Sequence, residues 1–415
     1  MDRYTAKKLT KKRRQTQVCH TFEIKIDKSH LSKSTINHFD SLFKESKWFY
    51  NYCLSHKNVN DADYTVKSVP VRISKKGEPE LYEDRKFKAL SSQMKQSIRT
   101  RLFNNLSSLK ALKDKGFKVG RLKFKKLINS IPLVQYQKTF DFDMEKSRIR
   151  IQGCKPWIRV IGLDQIKDNY EIANATLVRK ANDYYFNITT FEMKPEKTLE
   201  DDSIGIDFGC ETQLTFSNGI KIEFQVPISK RLKRLDRKIM KKLRKKSKKK
   251  IKDQIKRQKE YDKINNKKKD IRKKIVSAVV NSYKYVCFQD ESIYEWKSSG
   301  HGKKIQNSSI GSILSDLKSK SEVPIEVDKY FPSTKLCPIC KKKNEIFQSE
   351  RIYSCDCGYV NDRDLKASIC IESEGMLKIP MDHRDFKTRE ILSSTFFDKL
   401  MKINNIKVSK IESMN

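Results

Sequence analysis

The sequence predicts a multidomain α/β chain. An antiparallel β module interrupted by helices comes first, and a mixed α/β part interrupted by a small cysteine-bearing ribbon follows. Three observations predict it. The hydrophobic period changes from alternating to helical and back within the first 200 residues. From Ile204 onward, apolar runs end in acidic residues, as strands of a buried sheet do when they open onto a cleft. Four cysteines then stand in two tight pairs, Cys337 and Cys340 as C-x2-C and Cys355 and Cys357 as C-x-C, around a short basic insert. Four thiolates at this spacing fit tetrahedral Zn2+, which completes ribbons too small to fold on apolar burial alone.

With 415 residues the chain has room for two to four domains. Lys and Arg number 90 against 51 Asp and Glu, a net charge of +39, so the partner is expected to be a polyanion bound with strong salt dependence. Nucleic acid is the natural candidate. An anionic membrane is the rival, but there is no run of about 18 apolar residues. The start, MDRYTAKKLTKKRRQ, lacks the apolar core of a signal peptide. A cytoplasmic, reduced protein is therefore expected, with Cys19, Cys53, Cys154, Cys210, Cys287 and Cys370 as small buried hydrophobes.

In chain order, Val18, His20, Phe22, Ile24 and Ile26 alternate with polar neighbours, a half-buried strand on which His20 is a packed residue. From His30 to about Ser55 the spacing is helical. A Lys-rich loop with Pro70, Gly77 and Pro79 follows, and then a second helix over about 84–113, carried by Phe87, Leu90, Met94, Ile98, Leu102, Leu106 and Leu109. Residues 116–193 read as antiparallel β, including the alternations at Arg148–Ile151 and around Trp157–Ile161 and a hairpin on Ala-Asn-Asp. With the first strand these would form one β-barrel.

SIGIDFGCETQLTFSNGIKIEFQV, from Ser203, reads as a three-strand meander with Asp207 closing its first strand. Residues 229–274 carry 25 Lys/Arg against 5 Asp/Glu, yet Leu232, Leu235, Ile239 and Leu243 keep a helical period. A basic helical hairpin facing phosphates is expected rather than a disordered tail. YVCFQDES ends a further strand in Asp290-Glu291, and KSSGHGKK has the composition of a mobile lid. A helix over Ile310–Leu317 and a strand at Val323–Val327 lead into the ribbon. Beyond it, Asp-Arg-Asp opens a helix with Asp364 in its first turn.

Asp207, Glu291 and Asp364 thus stand at two strand ends and one helix start. Such a set can gather two Mg2+ ions for in-line attack on a phosphodiester. Hard carboxylate oxygens suit Mg2+ and soft thiolates suit Zn2+, so the two metals would occupy separate sites. Asp207-Phe208-Gly209 with Thr212 also resembles the phosphate hairpin of actin-fold kinases, but a second phosphate loop and a Gly-rich adenosine segment are missing from the sequence.

The ordered set GIDFG, FQDES, CPIC…CDCG and DRDLKAS resembles the RuvC-like nuclease of transposon-encoded TnpB proteins and of miniature type V-F CRISPR effectors. VGRLKFKK, RIRIQGCKPWIRVIG and ATLVRKANDYYFNIT resemble blocks of their wedge module. The resemblance implies RNA-guided cutting of double-stranded DNA, with guide RNA and target DNA as partners, in an antiviral or a transposon setting. It implies a ribonuclease-H-like (RuvC) domain at 200–333, holding the basic hairpin 229–285, and again at 360–395. The zinc ribbon would be 334–359, the β-barrel wedge 1–28 and 116–199, the helical recognition insert 29–115, and the C-terminal tail 396–415. Carried over, Asp207, Glu291 and Asp364 are the catalytic acids. Arg121, Lys123 and Lys125, with Lys245, Lys246, Lys248, Lys249 and Lys250, are the expected nucleic-acid contacts.

The chain departs from the TnpB pattern in three places. Gln289-Asp290-Glu291 stands where Glu directly follows the strand, which leaves Asp290 as an alternative second ligand. The second knuckle is C-x-C-G rather than C-x2-C-G, and Lys366-Ala367-Ser368 replaces Asn-Ala-Ala. The last two resemble the miniature CRISPR branch, whose members often pair two copies on one guide, whereas TnpB proteins act alone. A non-cleaving guided regulator and a guide-independent resolvase or transposase are the other function classes; the intact acidic triad opposes the first and the large basic surface the second.

Overall fold

The computed structural model describes residues 2–74, 77–181, 183–194, 199, 202–242, 247–347, 350–379 and 389–411. The chain divides into two compact units, residues 1–196 and 197–415.

The first unit opens on a basic helix, α1 (Arg3–Gln15), where the sequence suggests only a leader. The strand β1 (Gln17–Ile26) and helix α2 (Lys33–Ser55) follow, the latter capped by Ser32 accepting the Thr35 N–H. The expected Lys-rich loop is instead a small hairpin, β2 (Ser68–Arg72) with β3 (Tyr82–Lys86). Helix α3 (Ser92–Asp114) accordingly starts well after position 84. Its start is fixed by Ser91, which caps Met94 N–H, and by the buried Glu45 carboxylate, which accepts the N–H groups of Lys88, Ala89 and Leu90. Three backbone donors held this way keep the chain from winding any earlier.

Six strands complete the unit: β4 (Ser130–Leu133), β5 (Phe140–Asp143), β6 (Arg148–Ile151), β7 (Ile158–Ile161), β8 (Glu171–Lys180) and β9 (Asp183–Met193). With β1 they form a seven-stranded antiparallel sheet of order β4-β8-β9-β1-β7-β6-β5. Among the described residues β4 and β5 are edges that do not pair, so the expected barrel is not closed by strand hydrogen bonds. The inward residues Ile24, Ile26, Ile149, Ile151, Phe186 and Ile188 pack with Phe39, Phe49, Met94 and Ile98 of the two long helices. That burial is what holds helices inserted between strands of one sheet.

The second unit is built on a six-stranded sheet. The strands β10 (Ser203–Phe208), β11 (Leu214–Phe216) and β12 (Ile220–Glu223) form the expected antiparallel meander. The helices α4 (Lys230–Met240) and α5 (Lys248–Val280) make the basic hairpin, whose apolar seam of Leu232, Ile264, Ile271 and Ile275 is buried. Strand β13 (Tyr285–Gln289) returns parallel to β10. The short α6 (Ile293–Trp296), a π-turn over Lys297–His301, α7 (Gly302–Ser308) and α8 (Ile310–Lys320) then form a nearly unbroken helical path. The expected open loop is therefore helical. Strand β14 (Val323–Val327) lies parallel to β13.

The ribbon contributes β15 (Ile352–Ser354) and β16 (Val360–Asp362), and helix α9 (Arg363–Met376) follows directly. Of residues 396–415, expected as a tail, the described part to 411 packs into this unit, with Phe396, Leu400 and Ile403 in its core. The helix α10 (Arg389–Met401) buries Phe396 edge-on to Phe216 and Tyr283, and β17 (Lys407–Lys410) pairs with β12. The sheet order is β14-β13-β10-β11-β12-β17. Cys53, Cys154, Cys287 and Cys370 are buried as expected, whereas Cys210 is half-buried and Cys19 exposed. Among the described residues, no helix is long and apolar enough to cross a membrane.

Candidate functional site

Asp207 sits near the C-terminal end of β10, the strand between antiparallel β11 and parallel β13. Helix α9 lies across these strands at backbone contact. A Cβ on Gly205 would stand 2.1 Å from the Ser368 carbonyl oxygen, and one on Gly375 2.6 Å from Cys287 Sγ. Only glycine allows this approach. The first turn of α9 is set by Asp362, whose carboxylate accepts the Asp364 and Leu365 N–H groups, both at 3.0 Å. Asp364 is thereby held at the positive end of the helix, on the side where β10 ends.

Asp207, Glu291 and Asp364 line one cleft of about 720 Å³, together with Trp296, His301, Phe331, Ser333, Thr334, Arg351 and Arg363. Burial, then the charges of Asp364 and Glu291, push the Asp207 carboxyl well above the usual carboxylate range. Burial also raises Glu291, against the pull of Lys329. Asp290 is absent from the cleft lining. It is exposed and pairs with Lys318 at 2.8 Å, so the two neighbouring acids face different ways. The carboxylates are spaced more loosely than the cysteine sulfurs: among the described residues only the four cysteines bring three or more ligand atoms within 4.8 Å of one another.

Three cations that sequence reasoning did not single out surround Asp364. Arg363 lies at 3.2 Å, Lys221 of β12 at 3.8 Å and Arg351 of the ribbon at 3.9 Å. Lys221 also pairs with Asp362 at 2.8 Å. Its place between the buried Ile220 and Ile222 marks an outward strand position, which alone reads as solvated.

The four-cysteine assignment fits zinc. Cys337 and Cys357 Sγ are 3.6 Å apart and Cys340 and Cys355 Sγ 3.5 Å, close to the edge of about 3.8 Å that Zn–S bonds of about 2.3 Å give a tetrahedron. Each knuckle turns on a left-handed residue directly after its second cysteine, Lys341 (φ 59°) and Gly358 (φ 87°). The Cys357 backbone N–H and neighbouring hydrogen bonds lower the Cys355 thiol, whereas, against the Tyr359 backbone N–H, burial and the adjoining thiols raise Cys357, as sulfurs close enough to share protons do. Lys366, fully buried on α9, links ribbon and helix. Its ammonium lies 4.0 Å from the Tyr353 ring centroid, and burial lowers it to about 8.

Of the candidate nucleic-acid contacts, Lys245 and Lys246 lie outside the described residues. Lys248 and Lys249 are exposed at the start of α5, whereas Lys250 donates to the Lys242 carbonyl at 2.6 Å. Arg121, Lys123 and Lys125 are exposed on an irregular stretch of the first unit, near the exposed Phe117 and Phe124. Asn51 brackets the Lys125 backbone from both sides, and the Lys125 ammonium lies 4.4 Å from the Tyr50 ring centroid.

Residues 316–371, which hold the end of α8, β14, the cysteine ribbon and the start of α9 with Asp364, match the family described as Cas12f1-like, TNB domain. A solved Cas12f1–sgRNA–target DNA complex is similar at 13% identity and a TM-score of 0.49, over 86% of this chain and 99% of that one. A CRISPR–Cas12f ternary complex is similar at 14% identity and a TM-score of 0.29, over 90% and 85%. Neither score is high enough to carry a shared fold. The SEC14 cytosolic factor of Kluyveromyces lactis is 25% identical over 138 residues, 32% of this chain. The match spans 46% of that curated relative, too little to carry a fold or an activity. The family match falls on the ribbon and the third acid, the segment with the most specific motif spacing, and this chain is similar there to the miniature type V-F effectors.

Proposed function

We propose that this chain is an RNA-guided DNA endonuclease that cuts its target at a single acidic site formed by Asp207, Glu291 and Asp364. The observation that carries the reading is the convergence of these three acids, 157 residues apart in sequence at the extremes, on one cleft beside a Cas12f1-like ribbon segment. The strand order β12-β11-β10-β13-β14, a meander flanked by two parallel strands, supports a ribonuclease-H-like (RuvC) domain.

The donor set fits Mg2+. Three hard carboxylates share a cleft, and Asp207, raised first by burial and then by the charges of Asp364 and Glu291, is a group whose ionised form a bound cation would stabilise. Asp207, Glu291 and Asp364 would hold the ions. Mg2+ held by these carboxylates would supply Lewis acidity for activating a water and for stabilising the leaving oxygen of a phosphodiester displacement. Arg351 and Arg363 line the same cleft and can attract the scissile phosphate, and Trp296 and Phe331 supply apolar faces to its lining. Cys337, Cys340, Cys355 and Cys357 would hold structural Zn2+, and the exposed lysines of the α4–α5 hairpin and of 116–127 would track the guide or target backbone.

The test is expression with isolation of co-purifying RNA, followed by cleavage of a matched plasmid with and without Mg2+. A discrete small RNA and Mg2+-dependent cutting of both strands are expected. Tight guided binding without any cutting would point instead to a regulator of the same fold.

A further inference from the structure

Two positions where this chain departs from the TnpB pattern, Gln289 and Lys366, converge on one piece of backbone. Residues Asp328–Thr334 form the strap between β14 and the ribbon, and Phe331, Ser333 and Thr334 of this strap line the acidic cleft. From one side, the Gln289 side-chain amide donates to the carbonyl oxygens of Asp328 (3.1 Å), Lys329 (2.9 Å) and Phe331 (2.8 Å). Its Oε1 accepts from Ser333 Oγ at 3.1 Å. From the other side, Lys366 Nζ donates to the carbonyls of Ser333, at 3.0 Å, and Thr334. Both side chains are almost fully buried, at 5% and 0% exposure, so these bonds are shielded from competing water.

We infer that Gln289 and Lys366 are positioning residues that clamp this strap. The clamp sets where the ribbon, and with it Arg351, stands over the acids. Gln289 ends the strand that leads to Glu291, and Lys366 lies two residues after Asp364, so each clamp member is rigidly tied to one acid. An amide at 289 is required because three carbonyls face it; a carboxylate there has no proton to donate and would be repelled. At 366 the long ammonium stem spans from α9 to the strap while its charge rests on the Tyr353 ring. The cleavage consequence rests on the proposed nuclease reading; the clamp itself does not.

The test compares Gln289→Met, which removes the amide without adding a carboxylate to the cleft that Gln289 also lines, Lys366→Met and the double variant in the full-length chain. Bound zinc and melting temperature first establish that each variant is folded. Hydrogen exchange then reads the strap: the amides of Tyr330, Phe331, Ser333 and Lys335 are bonded within it in the wild type. They should exchange about 10- to 100-fold faster in either single variant, with zinc retained, as expected when one or two buried bonds are removed. The double variant should exchange little faster than the worse single one, because both act on the same segment. In guided cleavage, the rate should fall by a similar factor while target affinity stays unchanged, a split that general destabilisation does not produce. Gln289→Asn, which keeps the donors on a shorter arm, should recover part of both readouts. Unchanged strap exchange in both folded single variants overturns the clamp, whether or not the wild type cuts DNA. Released strap amides with a wild-type cleavage rate overturn its positioning role, and a wild type that never cleaves counts against the proposed function alone.

Discussion

Replacing Gly205 with alanine tests how the acidic cleft is spaced. The added Cβ would lie 2.1 Å from the Ser368 carbonyl oxygen, 2.7 Å from Glu372 Cβ and 3.0 Å from Glu372 N. Two of these atoms belong to the backbone of α9, so no rotamer change relieves the clash. Restoring an ordinary contact of 3.4 Å or more requires α9 to withdraw from β10 by more than about 1 Å. Asp207 lies two residues further along β10, and Asp364 lies about one turn before Ser368, so the same movement parts the two acids. Overpacking of this kind costs about 1–3 kcal/mol of stability. A misplacement of about 1 Å between reacting groups costs about 10²-fold in rate. Chemical denaturation and guided plasmid cleavage on the same preparation separate the two effects. Wild-type cleavage by a Gly205→Ala protein would refute the idea that helix–strand contact sets the distance between the acids.

Cys337→Ser or Cys355→Ser should each lose bound zinc and unfold the ribbon, because the metal's binding energy is the ribbon's folding energy; stoichiometric zinc measured in either variant would contradict the four-cysteine site. Replacing Lys245, Lys246, Lys248, Lys249 and Lys250 with Gln should flatten the salt dependence of nucleic-acid binding, by about 0.7–0.9 of log-log slope for each phosphate that is no longer neutralised. Lys250 should contribute least, since its ammonium already serves the Lys242 carbonyl, and an unchanged slope would make the run a solvated face. Asp207 holds its proton in the fold at pH values where the unfolded chain has released it, so its contribution is full below the ordinary carboxylate range and is lost as pH rises through the raised value. Asp207→Asn should therefore melt above the wild type at pH 8 in Mg2+-free buffer and converge on it toward pH 4; a pH-independent gap would exclude that electrostatic cost.

The cysteine ribbon, the meander at Asp207 and the basic hairpin were legible because each signal is local: ligand spacing, turn residues and a helical period. What escaped depends on partners distant in sequence. The apolar spacing of Phe87 and Leu90 extends α3 too far upstream, while Glu45, which keeps that stretch unwound, lies more than forty residues away. The β2–β3 hairpin buries Val69 but little else, so it shows no alternation to read. Residues 396–403 carry helical spacing, but their burial is supplied by Phe216 and Tyr283. At the site, a sequence shows which acids end strands but not which way a side chain turns. Asp290 is exposed and paired with Lys318, whereas Glu291 lines the cleft, and neither fact can be read from two adjacent acids in a sequence. Lys221 and Arg351 gave no signal beyond being ordinary polar residues, and Gln289 and Lys366 stood out only as departures from the TnpB pattern, with nothing in the sequence to bring them to one segment.

The most direct measurement is guided plasmid cleavage in Mg2+, run beside a gel-shift assay, for Asp207→Ala, Glu291→Ala, Asp364→Ala and Asp290→Ala. The first three should each abolish cutting of both strands, since one cluster serves both, and should leave guide and target binding intact. Asp290→Ala should cut nearly as the wild type does, because it loses an exposed ion pair worth at most about 1 kcal/mol. Full cleavage by Asp207→Ala or Asp364→Ala would contradict the account, and an inactive Asp290 variant beside an active Glu291 variant would contradict its assignment of the second acid.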